Sequence, residues 1–181
     1  MRIFDQPEAQ DLGPYLHVAD RRLNILSVFD DLRYDRSDAD LLSPAMRQHV
    51  AKVLSKLEFK QTSGTVLKHK AADLRCIMPK FHALGASPFD ITRYADKRPQ
   101  DFYVLTPTQT ACQFIDNYAL EEAVELIKSL IVRQPINLFR LMDFLERKPS
   151  HEAFRAAIGH LKYVQRMALQ QEPLRSMRSL G

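Results

Sequence analysis

The chain has 181 residues and a mass of 20.9 kDa, room for one domain or two small ones. Apolar residues make up 45% and charged residues 27%, which excludes a disordered tail or a low-complexity fibre. The formal net charge of +4 is unevenly spread: residues 1–40 are net acidic, residues 41–80 carry eight basic side chains against two acidic ones, and residues 149–181 are net basic.

Along the chain, the stretch through Pro7, Gly13 and Pro14 reads as irregular. From Asp20 a helix is expected, because an aspartate caps free N–H groups and Ile25, Leu26, Phe29 and Leu32 recur at helical spacing. Residues 35–40 form a polar connection. Ser43-Pro44 opens a clearer helix, with serine as N-cap and proline at the first helical position. Met46, Val50, Val53, Leu54 and Leu57 share one side of it, while Arg47, Gln48, Lys52, Ser55 and Lys56 share the other. Residues 65–70 and 74–78 are short runs rich in branched side chains, as in a hairpin, and Phe102-Tyr103-Val104-Leu105 offers a third strand. Between them, residues 79–101 hold Pro79, Gly85, Pro88 and Pro99, a boundary or hinge.

Thr106-Pro107-Thr108-Gln109 is a capping box that starts a helix running to about Asp116. Leu120, Ala123, Val124, Ile127, Leu130 and Ile131 line one face of the next, which Pro135 stops. Leu138, Leu141, Met142 and Leu145, widened by Phe139 and Phe144, make a third helix apolar nearly all round, stopped by Pro149. Ser150 then caps a last helix with Phe154, Ala157, Ile158, Leu161 and Ala168 inward. Short connections imply antiparallel helical neighbours. The expected fold is therefore α+β, mainly α: N-terminal helices with a small antiparallel hairpin or three-stranded sheet, then a C-terminal helical bundle. The expected division is 1–98 and 99–181, within one compact domain or as two.

Most chemistry is excluded by pattern. No apolar run approaches the ~20 residues that span a bilayer, so no membrane partner is expected. An acid at Asp5 stands where an export signal needs its apolar run. Two cysteines, Cys76 and Cys112, make neither a disulfide framework nor a zinc knuckle, and a reducing, cytoplasmic setting follows. There is no phosphate-binding glycine motif, so no nucleotide cofactor is expected. His151 and His160, nine residues apart, face different ways on one helix and cannot share a metal. Asp35, Asp38 and Asp40 lack the glycine and distal glutamate of a calcium loop. Gly85-Ala86-Ser87-Pro88 is no nucleophile elbow. An enzyme would need His82, Asp90, Arg93, Tyr94 and Asp101 to converge in the proline-rich middle; no local pattern shows catalytic residues.

The basic block points to nucleic acid. Arg47, Gln48, Lys52 and Lys56 outward on a helix, followed by a hairpin carrying Lys68, Lys70 and Arg75, have the order of a winged-helix module. There the helix enters the major groove and a basic wing meets the backbone. Lysines would neutralise phosphates, and Arg47 and Gln48 would read base edges. A second basic stripe, His151, Arg155, Lys162 and Arg166, lies on the last helix. The expectation is thus a small nucleic-acid-binding or regulatory protein whose C-terminal bundle mediates homodimerisation or partner contact; the alternative is a non-catalytic protein–protein interaction module on the C-terminal helices, motivated by the apolar density from Ile136 to Leu145.

Overall fold

The computed structural model describes residues 3–9, 11–31, 41–80, 85 and 98–175. Two 3₁₀ turns, Ile3–Asp5 and Pro7–Ala9, precede strands β1 (Leu16–Asp20) and β2 (Ile25–Val28). Helix α1 (Pro44–Ser55) leads into β3 (Phe59–Gln61), β4 (Val66–His69) and β5 (Arg75–Ile77), and β6 is Phe102–Leu105. Four helices follow: α2 (Pro107–Asn117), α3 (Leu120–Arg133), α4 (Leu138–Leu145) and α5 (His151–Gln171). The strands form one mixed sheet in the order β1-β2-β6-β5-β4-β3. This overturns the expectation of a winged-helix-like arrangement of N-terminal helices with a small hairpin or three-stranded sheet, followed by a C-terminal helical bundle. The described residues hold a six-stranded sheet and five α-helices.

The correction begins at Asp20. Its carboxylate does accept the N–H three residues on, from Leu23 at 2.7 Å, but that bond closes a turn and starts no helix. Asn24 adopts a left-handed backbone (φ 54°), which asparagine tolerates better than most residues, and the chain reverses. Ile25 to Val28 are then buried on both faces of the sheet, a pattern in which a continuous apolar run mimics a buried helix. β2 pairs antiparallel with β1 and parallel with β6. The hairpin strands are β4 and β5, antiparallel, and β5 also runs parallel to β6. Residue 32 and residues 35–40 lie outside the described residues, as does most of 79–101.

The backbone clusters into two compact units. One comprises the described residues of 1–29, 41–82 and 86–106, and the other those of 30–40, 83–85 and 107–181. In the first, one sheet face carries Leu16, Leu26, Val28, Phe59, Leu67, Cys76, Phe102 and Val104, packed with Phe4, Val50 and Leu54. Each such side chain contributes roughly 1.5–3 kcal/mol by leaving water. α1 covers this face with the predicted stripe: Val50 and Leu54 are buried, and Met46, Val53 and Leu57 pack partly against it. The Ser43 hydroxyl accepts the Met46 N–H at 3.1 Å, closing the helix start. The opposite face carries Ile25, Ile77, Tyr103 and Leu105.

In the second unit α2 is buried along Pro107 to Ile115, although four of those residues are threonine or glutamine. Their polar atoms serve packing contacts: Thr108 Oγ1 accepts the Asn137 N–H at 2.8 Å, and Gln109 Oε1 accepts the Gly85 N–H at 2.7 Å. Gly85 has φ 79°, and a Cβ there would lie 2.3 Å from the Phe144 ring, so only glycine fits. Asn137 caps α4 through Oδ1 to the Arg140 N–H. Ser150, expected to cap α5, makes no side-chain cap bond. α4 buries Leu141 and Leu145 but leaves Phe139 and Met142 exposed.

The buried link between α3 and α4 is clamped by Gln165 of α5. Its side-chain amide donates to the Ile136 carbonyl at 3.0 Å and accepts the Ile136 N–H at 2.8 Å. Ile136 is fully buried, so removing the Gln165 amide breaks both bonds at once. Gln165→Leu is expected to lower unfolding free energy by about 1–3 kcal/mol, measured by urea denaturation; an unchanged midpoint would show that the clamp contributes nothing.

Candidate nucleic-acid interface

The outward side of α1 carries Gln48, Lys52, Ser55 and Lys56, all exposed, because the helical period that buries Val50 and Leu54 turns these away from the sheet. Arg47 does not join them. It is half-buried, and its guanidinium donates to the carbonyls of Met78 (2.9 Å) and Pro79 (2.7 Å). Burial lowers its pKa from the ordinary value. Two such charge-assisted bonds tie α1 to the chain leaving β5 and occupy the group expected to read base edges.

The strands set a second row. Lys60 on β3 stands opposite Lys68 on β4, and Lys68 stands opposite Arg75 on β5. Phe59, Leu67 and Cys76 belong to the face that α1 covers, so by alternation Lys60, Lys68 and Arg75 share the other face. The strand row and the α1 residues therefore lie on opposite faces of the sheet. They are joined around its β3 edge, where α1 packs on β3 and runs into it through Leu57 and Glu58. Lys70 sits beside that junction, its backbone N–H donating to the Glu58 carbonyl at 3.1 Å. Lys60 joins the row because Phe59–Gln61 is a strand, and three residues are too short a run for sequence alternation to reveal one.

Arg75 is committed elsewhere. It bonds Asp101 through Nε (3.1 Å) and Nη2 (2.6 Å). The Asp101 side chain is completely buried and also accepts from Arg98 Nε and Nη2. Arg98 in turn pairs with Asp73 in the β4–β5 turn. The Arg98 hydrogen bond holds the Asp73 carboxyl below its ordinary range, and the charge of Lys68 acts in the same direction. This chain of alternating charges pins the start of β6 to the hairpin. It also uses Asp101, the one described member of the enzyme expectation; His82, Asp90, Arg93 and Tyr94 lie outside the described residues.

The lysines behave differently. Lys52, Lys56, Lys60, Lys68 and Lys70 are all exposed, and among the described residues none has a carboxylate within ion-pair reach. Every large hydrophobic exposed among the described residues belongs to the helical unit, and none to the unit that carries the lysines. No protein-family model matches the chain, and neither does any curated protein or solved structure.

Among the described residues no group of three or more histidine, cysteine or acidic side chains could hold a metal, and no helix is long and apolar enough to cross a membrane. Cys76 and Cys112 are buried, and burial, reinforced by Asp101, pushes the Cys76 thiol well above its ordinary pKa. A thiolate is the reactive form. Ellman's reagent is therefore expected to label neither cysteine in the native protein within minutes and both in denaturant; prompt native labelling would contradict this burial.

Proposed function

We propose that the protein binds nucleic acid through the phosphate backbone, using the five lysines around the β3 edge and without reading base sequence. The observation that supports this reading most is that Lys52, Lys56, Lys60, Lys68 and Lys70 stand in solvent with no carboxylate within ion-pair reach among the described residues. A lysine in that condition can neutralise a phosphate and release the cations condensed on the nucleic acid, and that release drives backbone binding. Phosphate contacts position a protein on a duplex, whereas base-edge contacts specify sequence. Arg47 and Arg75, the side chains with bidentate geometry for guanine, are engaged internally. Of the expected base readers only Gln48 remains free to reach outward. A duplex presents phosphates more densely than a single strand, which favours it for backbone binding.

The test is fluorescence anisotropy with labelled DNA duplexes of unrelated sequence, an RNA duplex and a single strand, at about 50 mM salt, the low end of the range where phosphate contacts are strongest. Duplexes of different sequence are expected to bind alike and better than the single strand. No binding, or a strong preference for one sequence, would remove the reading.

A further inference from the structure

The helical unit carries a surface that phosphate binding does not use. On α5 the period that buries Phe154 and Leu161 turns Glu152, Ala156, Gly159, Tyr163, Arg166 and Gln170 outward, and all are exposed. These positions alternate steps of four and three residues, the spacing by which one helix presents a seam to another. Tyr163 is 59% exposed and Met167, beside the seam, 38%. A Cβ on Gly159 would meet nothing within 4 Å, so open space adjoins the large Tyr163 side chain one turn on. Tyrosine and methionine are residue types enriched where proteins meet.

The charges beside the seam decide what fits it. Arg155, Lys162 and Arg166 line one edge. Arg155 pairs with Glu152 at 3.7 Å, while Lys162 and Arg166 have no carboxylate partner among the described residues. A second copy of α5 laid antiparallel would bring Lys162 towards its own counterpart, an unfavourable like-charge approach. Bare phosphate would leave Tyr163 and Met167 unused. We propose that the outward face of α5 docks an acidic amphipathic helix of a partner protein, its apolar side on Ala156, Gly159, Tyr163 and Met167 and its carboxylates on Lys162 and Arg166. That is the helix-on-helix mode of peptide recognition, with steering by charge and affinity from the apolar anchors.

The probe is a fluorescein-labelled amphipathic helical peptide of leucine and glutamate, with a leucine–lysine peptide of the same pattern as control, titrated into the full chain. The acidic peptide is expected to bind and the basic one not. Tyr163→Ala with Met167→Ala should weaken binding about tenfold or more, as truncating apolar anchors does. Lys162→Glu with Arg166→Glu should reverse the preference between the peptides. Both pairs are surface changes, so circular dichroism and melting should match the parent. Absence of binding, equal binding of both peptides, or insensitivity to these variants would overturn the proposal. So would light scattering showing a dimer that Tyr163→Ala dissolves, or displacement of the peptide by duplex DNA that persists when the five lysines of the β3 edge are replaced by alanine.

Discussion

Asp101→Ala is expected to cost about 3–5 kcal/mol of folding stability, the effect of removing one partner from a buried charge pair, read as a fall in the urea midpoint. The Asp101 carboxylate is sealed from solvent and receives four hydrogen bonds from two guanidiniums. Without it, the Arg75 guanidinium, whose side chain is 17% exposed, loses its two bonds to that carboxylate. When Arg98 is removed the buried Asp101 keeps Arg75 and Asp73 is largely exposed, so Arg98→Ala should cost clearly less than Asp101→Ala. Asp101→Asn should lie between, since it keeps an acceptor but not the charge. A near-neutral Asp101→Ala would mean that β6 is held in register by its backbone pairing with β2 and β5 alone.

Replacing Lys52, Lys56, Lys60, Lys68 and Lys70 together by alanine is expected to weaken duplex binding by about two orders of magnitude at low salt, because each phosphate contact contributes a share of counterion release. Stability should change little, since exposed, unpaired side chains are usually worth within about 0.5 kcal/mol each. Single replacements should each give a small part of the loss, as expected of backbone contacts and not of a base-reading pair. Arg47→Ala and Arg75→Ala should do the reverse and lower stability. Equal binding by the five-alanine variant and the parent would show that the contacts lie elsewhere.

The outward and inward sides of α1 were legible because Ser43-Pro44 marks its start and a single apolar stripe fixes its rotation. The four C-terminal helices were likewise bounded by Pro107, Pro135 and Pro149. The first two strands were not. Asp20 makes the same local hydrogen bond in a turn as at a helix start, and Ile25 to Phe29 satisfy both helical spacing and a strand buried on both faces. The sheet as a whole rests on parallel pairings of β6 with β2 and β5, and Leu26 meets Val104 across a separation that no local pattern encodes. The same limit governed the basic residues. Lysine positions could be assigned to an outward side, but Arg47 and Arg75 meet partners 31 and 26 residues away, and those partners turn both arginines from surface groups into internal ties. The division of the cations between two sheet faces followed from β3, a strand too short to announce itself.

The most direct test of the lysine rim is the salt dependence of duplex binding. Between about 50 and 200 mM salt, five phosphate contacts predict a slope of log affinity against log salt of about −4.5, a loss of roughly 500-fold, and a much flatter line for the five-alanine variant. A flat response from the parent chain, or the same slope in both proteins, would contradict the account.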